Sequence, residues 1–170
     1  MGSVAQWDLD TGEQMSDRAY TRIEISSDPR MLAGVRELVS LLSRRLGFDE
    51  MSASQIALAV DEALSNVICH GYCRQTGHPI WISLDETGDG QRPGLRVVIE
   101  DEGKQTACER IRSRDLDDVR PGGLGVHIIH EVMDEVEYTP REGGGMRLRM
   151  ERVGNRPQAK SVCGAKDDGA

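Results

Sequence analysis

Hydrophobic and polar positions along the chain follow two rhythms. In "AYTRIEIS", residues 19–26, they alternate with the period of a half-buried strand. The period then changes. Leu32, Val35, Leu38, Val39, Leu42 and Leu46 recur every three or four positions, which predicts a helix. Asp28 is its expected N-cap, Pro29 suits the first helical position, and Gly47 suits the stop. A second helix is expected to begin near Ser52, where "SASQ" has the Ser-x-x-Gln form of a capping box. Ile56, Val60, Ala63, Leu64 and Val67 form its apolar face, and Gly71 ends it. "HPIWISLDE", 78–86, and "LRVVIED", 95–101, read as strands on either side of the turn "DGQRPG". "GGLGVHIIHEVMDEV" is a Gly-rich turn running into a helix. "DEVEYTP" and "GGMRLRMERV" follow as two strands linked through "REGGG".

One segment fits neither rhythm. "KQTACERIRSRDLDDVRP", 104–121, holds 18 residues, nine of them charged. It is too polar for a core and long for a plain connection. The order β-α-α-β-β-polar segment-α-β-β predicts an α/β protein. Its fold class is a two-layer α/β sandwich, with a mixed, mostly antiparallel sheet and helices on one face. Residues 1–18 read as a flexible N-terminal arm, 19–153 as the folded domain, and 154–170 as a disordered C-terminal tail.

Composition narrows the picture. A chain of 170 residues favours one domain, and 38% hydrophobic with only 4% aromatic residues predicts an aliphatic core. The net charge of -8 argues against direct nucleic-acid binding and against anionic membranes. No apolar run approaches the roughly 20 residues that span a bilayer. "MGSVAQWDLDTGEQ" lacks the basic start and apolar stretch of a secretion signal, so a cytoplasmic location is expected. Cys69 and Cys73 form C-x3-C with no second pair at zinc spacing. Reduced thiols are the expectation for all four cysteines.

Candidate chemistry begins in "AVDEALSNVICHGY", 59–72. Glu62, Asn66 and His70 recur every four residues and fall along one side of a helix, about 40° apart. That side borders the apolar face, so the stripe would line a cleft. A carboxylate there suits a general base, and an asparagine carbonyl suits Mg²⁺. A plain surface stripe with i,i+4 hydrogen bonds is the alternative. In "VVIEDEGKQ", Asp101 ends a strand and could accept from a ligand's amino group, with Gly103 allowing close approach; an exposed turn is the alternative. In "PGGLGVHII", glycines before a helix offer free backbone N–H groups to a phosphate. The spacing matches neither a Rossmann nor a P-loop pattern.

Taken in order, Glu62-x3-Asn66-x3-His70, "EDEG" and "GGLGVHII" resemble the N, G1 and G2 boxes of the GHKL (histidine-kinase-like) ATPase superfamily, which has the Bergerat fold. "DEALSNVICHGY" with "GGLGVHIIHEVMDEVEY" and a terminal "MRLRM" resembles most the anti-sigma-factor serine/threonine kinase family, over about residues 20–150. The resemblance implies ATP and Mg²⁺ as cofactors. It implies Asn66 as the Mg²⁺ ligand, Glu62 as the catalytic base, and Asp101 with Gly103 as readers of adenine. Gly122, Gly123, Leu124 and Gly125 would cradle phosphates, and 104–121 would be the ATP lid. Arg36 matches a partner-binding position, and His70 is expected to make a structural hydrogen bond to a neighbouring segment. The implied partners are a sigma factor and a STAS-type anti-anti-sigma antagonist, with a homodimer as a further expectation. Two positions depart from the family. Gln105 stands where the G1 box has its second glycine, which stiffens the lid hinge. "GGGMRL" lacks the late Thr or Asn, which removes a water-mediated adenine contact. The alternative reading is a nucleotide-binding partner switch with little kinase activity. A histidine-kinase catalytic domain fits poorly, on the expectation that the chain is complete and has no dimerisation helix pair.

Overall fold

The structure, a computed structural model, describes residues 19–105 and 124–154. The expectations for 1–18, for 106–121, for Gly122 and Gly123, and for 155–170 lie outside the described residues. The elements are β1 (Ala19–Ser26), a 3-10 turn (Pro29–Met31), α1 (Leu32–Leu46), α2 (Glu50–Asn66), a π turn (Val67–Gly71), β2 (Pro79–Glu86), β3 (Gly94–Asp101), α3 (Leu124–Val132), β4 (Glu135–Pro140) and β5 (Met146–Val153).

The five strands form one sheet in the order β1-β2-β3-β5-β4, and all four pairings are antiparallel. Register follows from alternation. Ile23, Ile82, Ile99, Leu148 and Tyr138 stand abreast across the sheet, one from each strand. A slip of one residue would turn all five away from the core, so the register is strongly specified. The next row reads Ile25, Ile80, Asp101. A carboxylate thus occupies a core-facing position at the end of β3. The opposite face carries charges in pairs, among them Arg96–Glu151 at 3.1 Å and Arg149–Glu151 at 3.2 Å.

The helices form the second layer. α2 touches both α1 and α3 and is buried at Ala53, Ile56, Ala57, Ala59, Val60, Ala63 and Leu64. Four alanines let its neighbours approach closely. The core is aliphatic, with Phe48 and Tyr72 as its buried aromatics among the described residues. No helix among the described residues is long and apolar enough to cross a membrane.

Helix ends follow local chemistry. Asp28 accepts from the Arg30 amide at 2.9 Å, and Pro29 opens the 3-10 turn ahead of α1. Gly47 caps α1 at φ 103°. The expected start of α2 at Ser52 is corrected. Asp49 is the N-cap, accepting from the Ser52 amide at 2.9 Å and the Ser52 hydroxyl at 2.7 Å. A carboxylate is the stronger acceptor beside the positive helix end, so it takes the cap and Ser52 becomes its donor. Those same bonds hold the Asp49 carboxyl below the usual range.

After Asn66 the helix widens. The Tyr72 amide reaches back five residues to the Val67 carbonyl at 2.9 Å. The helical segment closes at Gly71, but the left-handed residues are Cys73 (φ 53°) and Arg74 (φ 64°). Gly71 serves a different purpose, at the site below.

Candidate functional site

Glu62 and Asn66 lie one turn apart on the half-buried flank of α2. The start of α3 meets that flank. Leu124, its first residue, is 69% exposed, while Gly125 is buried. A β-carbon at 125 would stand 2.5 Å from Glu62 Oε2, so glycine alone lets the helix begin this close to the carboxylate. The first amides of a helix lack intrahelical partners and carry partial positive charge. An anion from a side chain or a ligand is favoured there. The Asn66 side chain makes no bond to the turn that follows it. Its side-chain amide is partly exposed and carries a hard oxygen. No group of three His, Cys, Asp or Glu among the described residues is placed to hold a metal. Asn66 offers one neutral oxygen, a donor that fits a Mg²⁺ ion keeping waters and taking phosphate oxygens.

The π turn joins this flank to the end of β3. Asp101 is only 3% exposed. Its Oδ1 accepts from the Gly103 amide at 2.7 Å. Burial pushes its carboxyl up, while the Gly103 and Met146 amides and the Arg141 charge pull it down. Gly103 lies directly on Gly71. A β-carbon at 103 would come 2.6 Å from the Gly71 carbonyl carbon, and the Lys104 amide donates to the Gly71 oxygen at 2.9 Å. Tyr72 completes the junction. Its hydroxyl donates to the Pro79 carbonyl at 2.6 Å and accepts from the Glu102 amide at 2.8 Å, and its ring stacks on His78 at 4.7 Å. Gly145, at φ 84°, presses on the same place from the β4–β5 turn. A side chain there would collide with the Asp101 carbonyl oxygen.

The candidate residues thus form one wall: Gly125 against Glu62, Asn66 a turn further, then Gly71 against Gly103 and Asp101. Arg36 stands apart on α1, half exposed, with its Nη1 3.6 Å from Asp61 Oδ1. That is ion-pair range and too long for a hydrogen bond. His70 is a correction. It is exposed and its ring bonds to no neighbouring segment among the described residues, because the wider π turn carries it off the stripe. Cys69 and Cys73 are free thiols.

Several residues escaped the sequence reading: Gly71, Tyr72, Arg141 and Gly145. Arg141 donates through Nη1 to the Asp101 carbonyl at 2.7 Å. Gln105, noted as a departure, donates through Nε2 to the Arg141 carbonyl at 2.8 Å. The only hint in the sequence was the run of three glycines after Arg141, more than a turn requires.

Residues 25–152 match a family described as histidine kinase-like ATPase domain. The chain is 30% identical to a protein named serine-protein kinase RsbW from Halalkalibacterium halodurans, over 68% of this chain and 72% of that one. It is 25% identical to a serine-protein kinase RsbW from Oceanobacillus iheyensis, over 76% and 84% of the two chains. It is 27% identical to an anti-sigma F factor from Heyndrickxia coagulans, over 82% and 90%.

Proposed function

Because the chain belongs to the histidine kinase-like ATPase domain family, we propose that it is an anti-sigma factor and an ATP-dependent serine/threonine protein kinase. It binds a sigma factor and phosphorylates a serine on an anti-anti-sigma antagonist of the STAS type. The names of its relatives, serine-protein kinase and anti-sigma F factor, support the two halves of this reading. The observation that carries it is the packing of Gly125 against the Glu62 carboxylate. It sets a basic group beside a helix N-terminus that favours phosphate.

On this reading each residue has a task. Asp101 accepts from the adenine amino group. The amides of Leu124 and Gly125, with Gly122 and Gly123 before them, bind phosphate oxygens. Asn66 would hold Mg²⁺, which when bound would supply charge neutralisation for the transferring phosphoryl group. Glu62 takes the proton from the antagonist's serine hydroxyl as the oxygen attacks. Arg36, on the exposed side of α1, contacts a partner protein. The second reading, a nucleotide-gated switch with little transfer activity, draws on Gln105, whose bond to Arg141 ties the lid hinge where the family has glycine.

The test has two arms. ATP–Mg²⁺ at about 100 times its dissociation constant stabilises the native state by about 2.7 kcal/mol. That corresponds to a rise of about 5–10 °C in melting temperature for a domain of this size. In a single turnover the antagonist then becomes phosphorylated on serine. An unchanged melting temperature removes the nucleotide reading. A rise without transfer selects the switch.

A further inference from the structure

We infer that Arg141 is the positioning residue for adenine recognition, acting through the main-chain carbonyl of Asp101 and holding Gln105 through its own carbonyl. The inference rests on the reading of Asp101 given above.

The sheet itself shows why such a residue is needed. The β3–β5 pairing stops at Glu100↔Arg147. The next carbonyl along β3, that of Asp101, is taken by Arg141 Nη1 at 2.7 Å. A charged donor thus replaces a ladder bond at the position where the strand must hold its carboxylate in place. Arg141 is itself well held. Its guanidinium carbon lies 5.1 Å from the centre of the Trp81 ring, and its Nε lies 3.6 Å from Glu100 Oε1. Its own amide donates to the Gly145 carbonyl at 3.1 Å, closing the turn that brings Gly145 onto Asp101.

The other end of the residue works on a different segment. The Arg141 carbonyl accepts from Gln105 Nε2 at 2.8 Å. Gln105 is two residues beyond Gly103 and opens the polar stretch that continues to 121. The glycine-to-glutamine departure is therefore a tether. The Asp101 main chain and Gln105 share one anchor in the β4–β5 turn. The Arg141 charge also favours the ionised, accepting form of Asp101 against the effect of burial.

The test measures equilibrium binding of ATP–Mg²⁺ and of inosine triphosphate–Mg²⁺, which lacks the 6-amino donor, to wild type, Arg141→Met and Arg141→Lys. Methionine keeps the apolar reach over Trp81 and removes the donor and the charge. Lysine keeps a charged donor. Losing one charge-assisted hydrogen bond behind the carboxylate weakens ATP binding by about tenfold in Arg141→Met. Inosine triphosphate binding stays within about twofold, since no amino group is read, and Arg141→Lys recovers most of the ATP affinity. Unchanged ATP affinity in Arg141→Met overturns the inference. So does an equal loss for both nucleotides, which would mean that the turn merely supports the fold. Failure of the wild type to bind ATP would overturn the nucleotide reading itself.

Discussion

Gly125→Ala separates the geometry of the site from the stability of the fold. The added methyl carbon would sit 2.5 Å from Glu62 Oε2, 3.4 Å from its Cδ and 3.6 Å from its Cβ. Only the carboxylate oxygen is in serious conflict. It falls about 0.9 Å short of the 3.4 Å at which ordinary contact begins. Glu62 is half-buried and its carboxylate is the far end of a flexible side chain, so it swings aside and nothing else moves. Alanine is also the better helix former, by up to about 1 kcal/mol in a helix interior and less in this first turn, which partly offsets the cost of the new rotamer. Ligand-free stability should therefore change by less than about 1 kcal/mol, read as a shift of under about 3 °C. Chemistry should not be spared. A base displaced by about 1 Å loses on the order of a hundredfold in rate. ATP–Mg²⁺ affinity stays within about threefold, because the amides of α3 remain in place. Single-turnover phosphorylation of the antagonist reads the loss, and the same substitution in a Glu62→Gln background should add almost nothing. Wild-type transfer by Gly125→Ala would refute the claim that this contact aims Glu62. A fall of more than about 8 °C would show that the carboxylate has no room to yield.

Other substitutions test the remaining parts of the wall. Asn66→Ala should abolish Mg²⁺-dependent ATP binding while moving the ligand-free melting temperature by under about 2 °C, since the side chain is half exposed; unchanged affinity by titration calorimetry would remove Asn66 from the metal role. Tyr72→Phe strands the Glu102 amide and the Pro79 carbonyl, at a cost of about 1–3 kcal/mol. Faster hydrogen exchange at Glu102 and a lower melting temperature are the readouts, and wild-type values for both would refute a structural role for the Tyr72 hydroxyl. Burial raises the Asp101 carboxyl, so ionising it costs more in the folded chain than in the unfolded one. Its contribution to stability is full below the unfolded value of 3.8 and is lost as pH rises through the folded value. Asp101→Asn should accordingly melt at or above the wild-type temperature at pH 7, lose that advantage in acid, and lose its preference for ATP over inosine triphosphate. A mutant that melts lower at pH 7 would contradict this sign.

The strands and α1 were legible because their periods are enforced by burial. Ile80, Ile82 and Leu84 alternate with half-exposed neighbours, and a register slip would expose them all. The start of α2 was misread because two capping patterns overlap, and sequence does not rank Asp49 above Ser52. The π turn has no side-chain signature of its own, so the four-residue spacing puts His70 on a stripe that in the fold ends at Asn66. Glu62 and Asn66 stood out as polar residues beside an apolar face, and Gly125 as a glycine ahead of a helix. Their juxtaposition depends on a segment some sixty residues away, which no local pattern reports. Arg141 was invisible for the same reason. It lies 40 residues from Asp101 in a turn whose glycines signal flexibility and not contact. The resemblance to a family named the boxes, but said nothing of the tether that links Gln105 to the hairpin.

The central claim is that Glu62 is the base of an ATP-dependent serine kinase. Glu62→Gln tests it most directly, since the amide has nearly the shape of the carboxylate but takes no proton at neutral pH. The measurement is single-turnover transfer to the antagonist at saturating ATP–Mg²⁺, alongside the affinity for ATP–Mg²⁺. Affinity is expected to stay within about threefold of wild type while the transfer rate falls by about a hundredfold or more. Transfer at the wild-type rate would contradict the claim and would require another residue as the base.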